Sequence, residues 1–335
     1  MDVVALTRAL VDIESITDNE EAVGEYLFQR LRAMAGGTGG AVEKIEVEPH
    51  RFNVLACWGT PIVTLSTHMD TVPPFFASRE DDTDVWGRGA CDTKGIIASM
   101  IQAAERLLAA GVRNFGLLFV VGEERNSAGA YAAAQDPRGS KFIINGEPTE
   151  NRLALGSKGC LRYELIARGR MAHSAYPELG DSAIHKLVPV LQSILAVPLP
   201  VDLLLGPSTL NIGTITGGRA TNVIADYAKA EVMIRIIDGG DSTDTIVRGV
   251  VDDTVEISEV LRIPAVRLGS LDGFETTVVA YTTDIPAFGT AWGQPFLIGP
   301  GTIHVAHTTE ERVPKAHLHQ AVDLYEAMVR RLMVA

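Results

Sequence analysis

The sequence predicts an α/β protein: a mixed, largely parallel sheet with helices on both faces, interrupted by a smaller α+β unit. Three observations carry that expectation. Continuous apolar runs such as FGLLFVVG at 115–122 stop abruptly at glycine and acid, as strands buried on both faces do. Segments with helical apolar spacing alternate with those runs, most clearly KGIIASMIQAAERLLAAG at 94–111, and strands alternating with helices build parallel sheets. Between 160 and 266 the order changes to strand, helix, strand, strand, helix, strand, the ferredoxin-like arrangement.

In chain order, residues 2–12 and 20–34 carry apolar side chains at a helical period, and GGTGG at 36–40 reads as a loop. VEKIEV, NVLACWG and residues 61–67 read as strands. The helix at 94–111 stops at Gly111. A short helix near 127–135 and the strand KFIIN follow. CLRYELIARG (160–169) is then a strand and SAIHKLVPVLQSILAV (182–197) a helix. TLNIGTITG (209–217) and YAKAEVMIRI (227–236) are strands, TDTIVRGVVDDTV (243–255) a helix, and EISEVLRIPAV (256–266) a strand. The α/β pattern resumes near 276, and a helix near 315–333 closes the chain. The expected domains are 1–159 with 270–335, and an inserted unit at 160–269.

Composition narrows the function. The 335 residues carry a formal net charge of −13, which disfavours nucleic acid and anionic membrane as partners. The start has no basic segment leading into an apolar one, so no signal peptide is expected. No apolar run is long enough to span a membrane. Cys57, Cys91 and Cys160 are odd in number and lack CxxC spacing, which fits a reducing, cytoplasmic setting. GRGACDTKG lacks the third glycine and the later acid of a dinucleotide fingerprint, and no Walker A motif occurs.

The chemistry lies at the strand ends, where open α/β sheets form their sites. His68 and Asp70 follow one apolar run, Glu123 and Glu124 another, and Glu147 a third. Asp92 lies in a glycine-bounded loop before a helix, and His307 in a loop after PFLIG. Each alone has an ordinary structural explanation. Together they crowd like charges on one rim, which repel unless cations neutralise them. Two Zn²⁺ ions, each with three protein ligands and one shared carboxylate, need two histidines and three acids: His68, His307, Asp92, Glu124 and Glu147. Asp70, two residues from His68 in an extended chain, is expected to hold the other ring N–H. Glu123 is left as general base.

STHMDTVPP, WGRGACDTKG, VVGEERNSAGA, NGEPTE, AHSAYPELGDSAI and IGPGTIHVAHTTEE occur in that order. This series resembles the di-zinc metallopeptidase and amidohydrolase family of acetylornithine deacetylase, succinyl-diaminopimelate desuccinylase, aminoacylase and glutamate carboxypeptidase. The resemblance implies that His68 and Glu147 hold one zinc, Glu124 and His307 the other, and Asp92 bridges; Co²⁺ or Mn²⁺ are possible substitutes. It makes the inserted unit a lid and dimerisation domain, and so implies a homodimer. It implies that His173 stabilises the oxyanion and that Asn222 and Arg235 grip substrate. Tyr176 is a further pocket candidate, and Gly299 and Gly301 are candidates to present backbone N–H groups to a carboxylate. Thr302 stands where relatives commonly carry an acid. The implied activity is amide hydrolysis of a small N-acyl amino acid by a hydroxide bridging two zincs. The alternative is a dipeptidase or carboxypeptidase acting on a short peptide with the same site, and a silent homologue is a third reading.

Overall fold

In the computed structural model of the chain, which describes residues 1–334, six strands form the central sheet of the larger of two units. Across the sheet they run Ala41–Glu48, Arg51–Trp58, Phe115–Val120, Val63–His68, Phe142–Asn145 and Gln294–Leu297. The first two pairings are antiparallel and the last three parallel. Because the last four strands are parallel, their carboxyl ends share one edge of the sheet, where His68, Glu123, Glu124 and Glu147 follow.

Phe115–Val120 is buried throughout because both faces are covered. Leu117 and Phe119 pack into a core with the helices Val3–Val11, Lys94–Ala109 and Lys315–Leu332. Leu118 and Val120 point the other way, onto Ala130, Ala133, Phe288 and Trp292. The strand period of two thus feeds two helical layers. Each fully buried leucine or isoleucine contributes roughly 2 kcal/mol of transfer free energy.

The second unit comprises Gly156–Arg267 with Val278–Thr282, the latter outside the expected 160–269. Its four-stranded sheet is antiparallel throughout, in the order Thr209–Gly217, Tyr227–Ile236, Gly159–Arg168, Val255–Ile263. One face, including Leu161, Tyr163, Leu165, Val232 and Ile234, packs on Leu187, Val190 and Ile194 of the helix Ala183–Ala196.

Two elements differ from the sequence reading. The second helix continues through Gly36 and Gly37 to Thr38 and ends at Gly39, whose φ is +75°. Thr38 holds the last turn: its Oγ1 donates to the Met34 carbonyl at 2.7 Å and accepts from Trp58 Nε1 at 2.8 Å. The helix expected at 243–255 spans only Asp241–Arg248. Beyond Gly249, Asp252 Oδ1 accepts from the Thr254 N–H at 2.9 Å, and this Asx-type turn redirects the chain.

Candidate metal centre and catalytic residues

His68 ends its strand with its side chain 1% exposed. Its Nε2 lies 3.0 Å from Asp92 Oδ1. Asp92 reaches it from the loop before the helix Lys94–Ala109, and the peptide after Asp92 is cis. One atom each from His68, Asp92 and Glu124 lie within 4.8 Å of one another. His307 joins them, its Nε2 3.0 Å from Glu124 Oε2 and 3.3 Å from Asp92 Oδ2. It does so at φ +62°, a left-handed conformation that costs a non-glycine residue on the order of 1 kcal/mol and that the surrounding structure must enforce.

Asp70 does more than the sequence suggested. The nearer acceptor for His68 Nδ1 is the Asp70 backbone carbonyl, at 3.0 Å, with carboxylate Oδ1 at 3.5 Å. The carboxylate is engaged elsewhere. It accepts from the N–H of Glu123 at 3.1 Å, the N–H of Glu124 at 3.3 Å, and Thr17 Oγ1 at 2.8 Å. Asp70 therefore holds the turn that carries both Glu123 and Glu124, and orients His68 through its main chain. These bonds and the His68 ring hold its carboxyl below the ordinary range despite burial.

Buried charges crowd the site. Burial pushes the carboxyls of Glu123, Glu124 and Glu147 above the ordinary range, and neighbouring acids push the same way. Asp92 is held low against burial by His307 and His68. Burial lowers His68, but Asp70 and Asp92 outweigh it and raise the imidazole well above its usual range. His307 is pushed up to about 10 by Asp92 and Glu124. Glu147 is 4% exposed, and its Oε1 is buried with no hydrogen-bond partner. Among the described residues, no lysine or arginine pairs with Asp92, Glu124 or Glu147. An orphaned carboxylate oxygen beside crowded acids and two imidazoles fits a pair of divalent cations bound by hard oxygen and nitrogen donors.

The second unit carries the remaining candidates. His173, Tyr176 and Asn222 come together in its loops. His173 Nδ1 accepts from the Ala175 N–H at 3.1 Å, and its ring meets Tyr176 edge-on at 6.3 Å. The Ser174 N–H donates to the Asn222 carbonyl at 3.0 Å. His173, Tyr176 and Asn222 are exposed. Arg235 lies on the strand Tyr227–Ile236, half-buried, on the face opposite Ile234 and Ile236. Its backbone pairs with both neighbouring strands, and among the described residues its guanidinium has no hydrogen-bond or ion-pair partner.

The expectation for Gly299 needs correcting. The Gly299 N–H is committed to Thr149 Oγ1 at 3.0 Å, so it does not face a ligand. A side chain here would meet the Glu147 carbonyl at 2.6 Å, and one at Gly301, φ +83°, would meet Cys91 Sγ at 2.4 Å. These glycines let two site segments pack closely.

Three residues escaped the sequence reading. Thr17 donates to Asp70 from the segment after the first helix, whose Ile16 bridges Thr71. Glu311 receives three loop N–H groups around Asp92. Asp284 is fully buried, neither carboxylate oxygen has a close hydrogen-bond partner, and burial pushes it up to about 7. None of the three directly follows an apolar run, the local pattern that marks acids at strand ends.

Comparisons with known proteins identify the family of the chain. The chain matches the peptidase family M20/M25/M40 over residues 64–331. A peptidase M20 domain-containing protein of Schizosaccharomyces pombe is 37% identical over 338 residues, covering 98% of this chain and 84% of its own. A protein of Aspergillus oryzae named a probable carboxypeptidase is 36% identical over 371 residues, covering 96% and 85%. In fold the chain is similar to a Staphylococcus aureus tripeptidase, with a TM-score of 0.84, 22% identity and 98% of each chain covered. It is similar also to a Bacillus subtilis protein described as a dinuclear metal binding peptidase, with a TM-score of 0.71, 15% identity and 99% and 98% covered. The family match over most of the sequence, and relatives aligned over nearly all of it, mean that the chain belongs to peptidase family M20/M25/M40, a family of hydrolytic enzymes.

Proposed function

We propose that this enzyme is a two-metal exopeptidase of the carboxypeptidase kind, acting on short peptides. The observation that carries the reading is the cluster of His68, Asp92 and Glu124 within 4.8 Å, with His307 bonded to two of them. His68 and Glu147 would hold one ion and Glu124 and His307 the other, with Asp92 as the shared ligand. Zinc is the first choice, with cobalt or manganese as substitutes. The bound ions supply Lewis-acid polarisation of the scissile carbonyl and a more acidic attacking water.

The protein's own groups do the rest. Glu123 is the general base: it takes the proton of the attacking water and returns it to the leaving amine. Asp70 fixes the turn on which Glu123 sits. His173 donates to the developing oxyanion. Asn222 and Tyr176 contact substrate from the same loop cluster. The unpaired Arg235 guanidinium takes the terminal carboxylate as a bidentate partner.

The name carried by the Aspergillus oryzae relative supports the peptidase reading over N-acyl amino acid hydrolysis, the first expectation from sequence. The two reactions break the same bond, since an N-acyl amino acid is a dipeptide mimic without the free amine. The second unit is proposed as lid and dimerisation domain: Thr209–Gly217 lies at its sheet edge with Ile215 exposed, and Val188 is exposed on the helix Ala183–Ala196. Unpaired edges and exposed apolar side chains suit a second copy. No helix of the described residues is long and apolar enough to cross a membrane. The three free cysteines support a cytoplasmic location.

The test is a substrate panel on the zinc-loaded protein, with Glu123→Ala as control, reading free amine. N-blocked dipeptides, free di- and tripeptides, N-acetyl-ornithine and N-succinyl-diaminopimelate are compared. Release of the C-terminal residue from peptides is expected. Preference for the N-acyl amino acids returns the assignment to a deacylase. No turnover with both metals bound overturns the catalytic reading.

A further inference from the structure

Glu311 is not a metal ligand in this reading, yet it is bonded to the main chain of the residue placed between the metals. Its side chain is 1% exposed, as is that of Arg88. Its Oε1 accepts from the N–H groups of Gly89 at 2.9 Å, Cys91 at 3.3 Å and Asp92 at 3.2 Å. Its Oε2 accepts from Arg88 Nη1. Its own backbone carbonyl takes the Gly87 N–H at 3.1 Å. One residue therefore collects four N–H groups of the loop that delivers Asp92.

Arg88 extends the connection. Its Nε donates to the Pro74 carbonyl at 3.2 Å, and its guanidinium lies 5.0 Å from the centre of the Phe76 ring. Pro74 and Phe76 belong to the segment that follows His68 and Asp70. Glu311 itself is four residues beyond His307. The pair thus ties together three ligand-bearing segments: the one after His68, the one before and at Asp92, and the one after His307.

Stability alone is a poor reason for this arrangement. A buried ion pair often gains nothing over apolar side chains of the same volume, because desolvation offsets the attraction. What a carboxylate does supply is a convergence point for several backbone N–H groups, as anion-binding concavities do. That fixes the direction in which the Asp92 side chain leaves the loop. We propose that Glu311 and Arg88 are a positioning pair that sets Asp92 between the two metals and so determines metal affinity and turnover. This rests on the reading of Asp92 as the shared ligand.

The experiment uses the full chain, stripped with a chelator and reloaded with Zn²⁺ or Co²⁺. Glu311→Gln keeps the volume and one acceptor oxygen but turns an NH₂ group toward either Arg88 or the loop N–H groups. Arg88→Lys keeps the charge and loses the fork, and serves if Glu311→Gln does not fold. Asp92→Asn reports on the shared ligand itself. Expected for Glu311→Gln is a Zn²⁺ affinity about 10–100-fold weaker. A changed visible spectrum of the cobalt form and a lower kcat at a KM within about twofold are expected alongside it. Wild-type Zn²⁺ affinity and an unchanged cobalt spectrum in a folded variant overturn the positioning role, if Asp92→Asn has lost metal. Wild-type affinity in Asp92→Asn overturns the shared-ligand reading instead, and the inference with it.

Discussion

Loading the stripped protein with zinc should release protons, and the count is set by the site's own hydrogen bonds. Zinc binds neutral imidazole, so any proton on His68 or His307 must leave. In the metal-free chain His307 sits between Asp92 and Glu124 and is pushed up to about 10. His68 is raised well above its usual range by Asp70 and Asp92, although burial opposes this. At pH 8 His307 therefore carries a proton, which filling the site expels, and the raised His68 acts in the same direction. Two ordinary imidazoles, with pKa about 6.5, would release together only about 0.1 proton at that pH. Ionisation of the attacking water adds about one in either case. The raised carboxyls of Glu124 and Glu147 act in the same direction. The expected count is thus at least about two, against about one without the shifts. The sign follows: zinc competes with protons, so apparent affinity rises with pH, and the His307 contribution ends near pH 10. The metal-free fold behaves oppositely. The stabilisation from its charged imidazoles is full below pH 6.5 and is lost as pH rises through the raised values. The assay is titration calorimetry in two buffers of different ionisation enthalpy, repeated on His307→Ala, which should release one proton fewer. A count near one at pH 8 refutes the argument.

Other expectations concern the residues that act on substrate. Glu123→Ala should keep both metals by elemental analysis and lose about 10²–10⁴-fold in kcat; retained turnover removes it as the base. His173→Ala should lower kcat while metal content stays at two per chain, and a fall in metal content would mean that it is a ligand instead. Arg235→Met should raise KM about 10–100-fold for peptides with a free C-terminal carboxylate, from the loss of a charged hydrogen-bonded pair. C-terminally amidated peptides should show little change, and equal effects on both would exclude Arg235 from carboxylate recognition.

The sheet and the acids at its edge were legible because both leave local signals. Phe115–Val120 is apolar over its whole length, Val63–His68 alternates Val and Leu with small hydroxyl residues before its closing histidine, and each is followed within four residues by an acid. The helix through Gly36 and Gly37 was not legible, since two glycines read as a breaker. It is held by Thr38 reaching Trp58, twenty residues away. The pairing of Glu311 with Arg88 spans 223 residues, and Thr17 meets Asp70 across 53. Such contacts exist only after the sheet has brought the ends of several segments to one edge.

Asp284 makes the point most sharply. Its segment, TTDIPAFG, reads as one more alternation of strand and helix, and its carboxylate is a typical helix-start residue by sequence. In the fold it is fully buried beside the acidic rim, where Asp70 and Glu124 add to the burial that raises it. A buried acid without a close partner costs stability unless its charge is relieved by a proton or by cations nearby. Asp284, the orphaned Glu147 oxygen and the left-handed His307 are therefore three unfavourable features at one sheet edge. Sequence patterns record what favours a fold, such as apolar period, caps and turns. They are silent about places where a fold tolerates a cost, and here those places cluster around one centre, where metal charge would relieve the two buried acids.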